Sequence, residues 1–130
     1  MPTYYLDANV PVGVSMALAQ VRRDVLYPGA LGCPVMSTLV PDEEWLRIAG
    51  EQDWVVVTKD RKIRSRPGER KALVDARVRC FCATAAGNYT QWELLKLFVA
   101  QWDNMEQIAL HVPGPYIYAV TRTGVRFAAR

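Results

Sequence analysis

The stretch Trp54-Val-Val-Val-Thr58-Lys-Asp60 carries the clearest structural signal in the chain. Its apolar run is continuous rather than alternating, which is typical of a strand buried on both faces of a parallel sheet. Asp60 follows two residues after the run ends at Thr58. Because ligands bind beyond the carboxyl ends of strands in open parallel sheets, this stretch predicts both a central strand and a functional carboxylate.

The flanking sequence alternates between strand-like and helix-like segments. Tyr4–Asp7 is a second short apolar run that ends in a carboxylate. Helices are predicted over Pro11–Arg22, Asp42–Gln52, Pro67–Ala76 and Thr90–Ile108, and further strands over Asp24–Tyr27, Val78–Cys82, Tyr116–Thr121 and Val125–Phe127. This alternation predicts an α/β fold with a mainly parallel central sheet.

Two expectations concern the last long helix and the residues after it. Trp92, Leu95, Val99 and Trp102 recur at helical spacing, so they are predicted to form the stripe that faces the core. His111, the single histidine of the chain, precedes a segment rich in proline and glycine and is predicted to lie in a loop without a catalytic role.

The composition is that of one globular domain over residues 1–130, with 51% hydrophobic and 22% charged residues. No apolar run approaches the roughly 18 residues of a membrane span, and the N-terminus lacks the basic segment of a secretory signal. We therefore expect a soluble cytoplasmic protein. The three cysteines are an odd number without Cys-x-x-Cys spacing, which favours buried thiols over disulfides or a zinc site.

The net charge of +3 is unevenly distributed along the chain. Nine basic and three acidic residues lie between Lys59 and Arg79, whereas the remainder is net acidic. Arginine suits phosphate oxygens by charge and by bidentate geometry, so the segment is a candidate phosphodiester-binding surface; a solvated helix and loop face is the alternative. The candidates for phosphate contact are those nearest Asp60, namely Lys59, Arg61, Lys62 and Arg64, whereas Arg66, Arg70 and Arg77 are expected to be peripheral.

Three carboxylates are candidate functional groups: Asp7, Asp42 and Asp60. Each also has an ordinary structural explanation, since Asp7 and Asp60 can stabilise turns and Asp42 can be the N-cap of the helix that it opens. If they converge, their mutual repulsion calls for a hard cation, and oxygen ligands select Mg²⁺ or Mn²⁺. Such an ion can polarise a phosphodiester and activate water, so the cluster predicts hydrolysis without a histidine.

Three motifs, in this order and spacing, resemble the PIN-like domain family and, more closely, its VapC-type toxin subgroup. They are Tyr5-Leu-Asp7-Ala-Asn9 at the first strand, Asp42-Glu-Glu-Trp45 at a helix start, and Thr58-Lys-Asp60 followed by the basic segment. The long tryptophan-containing helix and the ending Gly114–Gly124 are also similar to that subgroup, so the resemblance covers nearly the whole chain.

The resemblance implies an α/β/α sandwich and a metal-dependent endoribonuclease, often the toxin of a toxin–antitoxin pair. In that case RNA is the substrate, Mg²⁺ or Mn²⁺ is the cofactor, and a cognate antitoxin protein is a partner. The sequence also leaves open whether the protein forms a homodimer. By the same resemblance, Asp7, Asp42 and Asp60 are the catalytic and metal-binding acids, and Asn9 and Thr58 orient them.

One residue departs from the pattern of the family. Lys62 stands where relatives often carry a further carboxylate, so Glu43 or an acid such as Asp103 is the candidate substitute. The departure keeps open a second hypothesis, a non-catalytic PIN-like module that binds RNA or a protein. A receiver-like phosphoacceptor domain is less favoured, because that class needs paired acids after the first strand and Ala8-Asn9 follows Asp7 here.

Overall fold

A mixed β-sheet forms the centre of the computed structural model, which describes residues 2–60, 63, 65–84 and 89–129. The described residues form six strands, β1 (Tyr4–Leu6), β2 (Val25–Leu26), β3 (Val55–Thr58), β4 (Arg79–Ala83), β5 (Tyr116–Thr121) and β6 (Gly124–Ala129). Their spatial order is β2-β1-β3-β4-β5-β6, parallel throughout except for the antiparallel β5–β6 hairpin. The carboxyl ends of β1 to β5 therefore share one edge, and the predicted α/β fold is confirmed.

Helices cover both faces of this sheet. They are α1 (Val12–Val21), α2 (Asp42–Glu51), α3 (Pro67–Asp75) and α4 (Gln91–His111). The core on the α1 and α4 face includes Val55 and Val57, whereas Val56 belongs to the core on the α2 and α3 face. The apolar run of β3 is thus buried from both sides, as its lack of alternation predicts. The result is an α/β/α sandwich.

The face of α4 that packs on the sheet differs from the predicted one. Trp102 is buried, but Trp92 and Val99 are 66% and 61% exposed. The buried stripe runs one position away from the predicted stripe and consists of Leu94, Leu97, Phe98, Gln101, Trp102, Met105 and Ala109. Apolar residues on α4 form two adjacent stripes, and helical spacing alone does not indicate which of them meets the sheet.

Two smaller features of the described chain also bear on the sequence expectations. His111 is the last residue of α4 rather than a loop residue, and its Nδ1 lies 2.8 Å from the carbonyl oxygen of Gln107. Cys33, Cys80 and Cys82 are buried, as predicted for structural thiols. In the part of the chain that the structure describes, no helix is both long and apolar enough to cross a membrane.

Helices α2 and α3 end in the same way, with a non-glycine residue in the left-handed region. Asp53 has φ 56° and Arg77 has φ 57°. After α3, Arg77 N donates to the carbonyl of Val74 and Val78 N donates to that of Leu73, the paired bonds of a Schellman cap. Glycine is the usual residue at such a position, because a Cβ makes the left-handed conformation unfavourable.

We expect Arg77→Gly to raise the free energy of unfolding by about 1 kcal/mol, because it removes the left-handed strain at the cost of extra freedom in the unfolded chain. Chemical denaturation of the two proteins measures the difference. Arg77→Ala is the matched control, since it also removes the exposed guanidinium but keeps the Cβ. Equal stability of the Gly and Ala variants would contradict the assignment of the strain to the backbone.

Candidate functional site

The predicted acids at the ends of β1 and β3 lie next to each other at the carboxyl edge of the sheet. Asp7 directly follows β1, and its N–H donates to the carbonyl oxygen of Val57 over 3.2 Å, which extends the pairing between the strands. Its side chain is buried, with only 2% of the residue exposed. Asp60 lies two residues beyond β3 on the neighbouring strand. Parallel pairing of β1 and β3 thus brings these two carboxylates together.

The Asp7 carboxylate is held by three hydrogen bonds. Thr58 Oγ1 donates to Asp7 Oδ2 over 2.8 Å. Asn9 donates through its backbone N to Oδ1 (3.2 Å) and through Nδ2 to Oδ2 (3.3 Å). The Thr58 hydroxyl oxygen also accepts a hydrogen bond from the N–H of Asp60 over 3.0 Å. One buried hydroxyl therefore connects the ends of both strands, and Asn9 and Thr58 contact the acid that they are predicted to orient.

Burial makes the ionised form of Asp7 costly. Desolvation raises the pKa of Asp7 to about 7, the hydrogen bonds from Thr58 and Asn9 oppose this shift, and the charge of Asp60 adds to it. A carboxyl group that titrates near neutral pH at the edge of a sheet is typical of functional sites. A cation at this position would stabilise the carboxylate that the surroundings disfavour.

Arg66 connects the acids on the α2 and α3 side of the site. Its Nη1 lies 2.7 Å from Asp60 Oδ2 and 3.1 Å from Glu69 Oε2. Arg66 lies at the start of the following helix and contacts these acids, so it is not peripheral to them. Arg66 precedes Pro67 at the start of α3, and this position turns its side chain back towards the end of β3.

Asp42 is the first residue of α2, but it does not cap the helix. Pro41 occupies the N-cap position and no side chain accepts a capping hydrogen bond there. Asp42 Oδ1 instead accepts a hydrogen bond from Trp45 Nε1 over 2.8 Å. The interpretation of Asp42 as an N-cap is therefore wrong, because the chain enters α2 through a proline whose extended conformation places the carboxylate one residue further on.

Glu69 is an acid of this site that the sequence analysis did not identify. Burial raises the pKa of Glu69, and so does a hydrogen bond that it shares with the Asp42 side chain, whereas Arg66 lowers it. The Asp42 side chain therefore lies beside Glu69, and its negative charge also raises the pKa of Glu69. In the sequence Glu69 resembles an ordinary acid in the first turn of a helix, which favours the helix dipole without any further role.

The starts of α2 and α3 are also in contact at Glu43. A Cβ on Gly68 would lie 2.5 Å from Glu43 Oε1, so only glycine fits at this position without displacing the carboxylate. Glu43 is therefore placed beside the start of α3. No contact joins Glu43 to Asp7 or Asp60 among the hydrogen bonds and ion pairs of the described residues.

The structure describes only some of the predicted RNA-binding residues. Lys59 is exposed directly after β3. Arg61, Lys62 and Arg64 lie outside the described residues, so their part in phosphate binding stays a prediction. Arg66 is a basic residue of this segment that the structure joins to Asp60 and Glu69.

The donor chemistry of the site fits Mg²⁺ or Mn²⁺, because its acids and its hydroxyl offer only oxygen ligands. Asp7 and Asp60 are the residues that would hold such an ion. The third predicted acid, Asp42, is joined to Trp45 and Glu69 instead. Within the described ranges, no group of three or more acids, histidines or cysteines is arranged to hold a metal ion. The site thus fits such an ion in the type of its donor atoms and in the pairing of Asp7 with Asp60. Arg66 is the positive charge beside Asp60.

A family model described as "PIN like domain" matches residues 2–85, which include β1 to β4 and the acids described above. No curated protein and no solved structure matches the chain.

We expect the pH dependence of stability to identify Asp7. Its pKa is higher in the folded protein than the 3.8 of an ordinary aspartate, so its contribution to stability is fully present below about pH 4 and is lost as the pH rises through 7. In metal-free buffer the free energy of unfolding should fall by about 2 kcal/mol between pH 5 and pH 8. Asp7→Asn should remove most of this fall, whereas the exposed-site control Asp75→Asn should keep it. An unchanged pH profile in Asp7→Asn would show that Asp7 is not the group that titrates.

Thr58→Val tests the hydroxyl that joins the two strand ends. The variant keeps the shape of the side chain but removes the donor to Asp7 and the acceptor for Asp60 N–H. We expect a loss of about 2 kcal/mol at pH 8, where Asp7 is ionised, and a smaller loss at pH 5. Denaturation at both pH values measures the difference, and Thr58→Ser, which keeps the hydroxyl, should stay close to the unmodified protein. A cost that is the same at both pH values would argue against coupling to the Asp7 charge.

Proposed function

The chain belongs to the PIN-like domain family, and from this premise we propose that it is a metal-dependent endoribonuclease that cleaves RNA phosphodiester bonds. The observation that carries the proposal is the buried Asp7 carboxyl group, held by Thr58 and Asn9 beside Asp60 at the carboxyl edge of a parallel sheet. Such an edge is where ligands bind in this class of fold. Nuclease activity is the general function of the family that the match supports.

In the proposed mechanism, Asp7 and Asp60 hold Mg²⁺ or Mn²⁺. The bound ion would supply polarisation of the phosphodiester and a lower pKa for an attacking water. Thr58 and Asn9 keep the Asp7 carboxylate in one orientation through their three hydrogen bonds. These contacts leave little freedom to the acid, so the site needs little rearrangement when the ion binds.

The acids on the α2 and α3 side have a supporting part in this proposal. Asp42 is the third predicted catalytic acid, and Glu69 contacts it. Arg66 neutralises Asp60 and Glu69 in the arrangement described here. The Arg66 side chain is 44% exposed whereas that of Asp60 is 12% exposed, so an ion or a phosphate group that takes part in the site would have to compensate the Asp60 charge if Arg66 leaves it.

The basic segment is proposed to hold the RNA backbone. Lys59, Arg61, Lys62 and Arg64 follow β3 directly and lie next to Asp60 in the sequence. Cationic side chains at this place attract phosphates and position them over the acids. Binding of this kind is independent of sequence and weakens as the salt concentration rises.

We also propose, on the resemblance of the motifs alone, that the protein is the toxin of a toxin–antitoxin pair in the cytoplasm. A cognate antitoxin protein would then be its partner. The VapC-type motifs are the support for this finer assignment, since the family match covers PIN-like domains in general.

A second candidate function is a PIN-like module that binds RNA or a protein without cleavage. Two observations favour it. Arg66 pairs with Asp60 Oδ2, and among the described residues the acids do not converge in a group of three. Lys62, which stands where relatives often carry a carboxylate, also favours the binding module.

Cleavage of a labelled RNA in Mg²⁺ or Mn²⁺ distinguishes the two functions. We expect EDTA to abolish cleavage, and Asp60→Asn to lower its rate by at least about 100-fold, because loss of even an outer partner of a metal ligand costs 10–100-fold. Asp75→Asn, an exposed acid on α3 paired with Lys71, should cleave at the unmodified rate. Titration with Mn²⁺ followed by calorimetry should show weaker binding in Asp60→Asn only. RNA binding without metal-dependent cleavage would support the binding module instead.

A further inference from the structure

Trp92 differs from the other tryptophans of the chain. Trp45, Trp54 and Trp102 are buried, whereas Trp92 is 66% exposed. It is the second residue of α4 and lies within the Thr90–Glu93 capping box that begins this helix. A capped first turn holds the indole on a well-defined backbone, so the exposed ring does not lie on a frayed end.

Trp92 lies at the same edge of the sheet as the candidate site. Helices α1 and α4 both begin at the carboxyl edge of the sheet, where Asp7 ends β1. Their first turns touch, since a Cβ on Gly13 would lie 2.5 Å from Gln91 Oε1.

The ammonium group of Lys96 lies near the exposed ring of Trp92. Lys96 Nζ lies 5.8 Å from the centroid of the Trp92 ring, one helical turn further along α4. A ring next to an ammonium group offers two contacts that a nucleotide can use together, a stacking surface for the base and a positive charge for the phosphate. The exposed residues Val12 and Met16 of α1 offer only apolar contact.

We propose that Trp92, with Lys96, is a nucleobase-stacking site that holds an unpaired base of the RNA at the carboxyl edge of the sheet. This proposal rests on the proposed function for the identity of the ligand as RNA. Only an unpaired base has a face free to stack on a side chain, because bases within a duplex stack on each other. Trp92 would thus act as a positioning residue on the α1 and α4 side of the sheet edge, opposite the acids of α2 and α3.

Tryptophan fluorescence tests this proposal directly. A short single-stranded oligoribonucleotide is titrated in EDTA into full-length Asp60→Asn protein, which prevents cleavage. Because the other three tryptophans are buried, quenching by a stacked base reports on Trp92. We expect saturable quenching, and in Trp92→Leu an affinity about 10-fold lower with most of the quenching lost. Trp92→Phe should recover part of the affinity, and the control Val99→Ser on the same helix should bind normally.

The outcomes separate this inference from the proposed function. Unchanged oligonucleotide affinity in Trp92→Leu would overturn the stacking site, even if the unmodified protein cleaves RNA. Saturable quenching in a protein that shows no metal-dependent cleavage would support the stacking site and overturn only the nuclease. If Trp92→Leu leaves RNA affinity unchanged but makes a dimer dissociate in gel filtration, the exposed ring is a contact between copies of the chain and the stacking site is overturned.

Discussion

The hydrogen bond from Thr58 Oγ1 to the buried carboxyl group of Asp7 is the contact on which the candidate site depends. It joins the ends of two parallel strands through side chains, and its acceptor is a group whose ionised form burial makes unfavourable. The same hydroxyl accepts the N–H of Asp60, so the position of the second acid follows from that of the first. In the proposed function, the poor solvation of this carboxylate is what would favour a cation beside it.

The charge of the second acid, Asp60, is compensated in a different way from that of Asp7. Asp60 is paired with Arg66, which also contacts Glu69, and these side chains are nearer to solvent than Asp7. Only the arginine is substantially exposed, at 44%, whereas the side chains of Asp60 and Glu69 are 12% and 15% exposed. The site therefore combines a buried acid held by hydrogen bonds with a second acid whose charge a partly exposed arginine compensates.

The two sides of the sheet edge offer different chemistry. The starts of α2 and α3 bring together carboxyl groups, including the contact between Asp42 and Glu69. The starts of α1 and α4 offer the exposed ring of Trp92 with Lys96 beside it. A polynucleotide has phosphates that require cations and bases that stack on rings, so a chain lying along this edge can use both sides at once.

The sequence by itself determined the α/β fold and the place of two acids. A continuous apolar run predicts β3, and because the carboxyl ends of parallel strands share one edge, Asp7 and Asp60 had to be neighbours once the alternation of strands and helices was recognised. Only the tertiary structure decided that Arg66 joins Asp60 to Glu69, that Asp42 contacts Trp45 instead of capping α2, and that Trp92 is exposed. Local spacing describes one element at a time, whereas these features depend on how two helix starts meet and on which of two apolar stripes of α4 packs against the sheet.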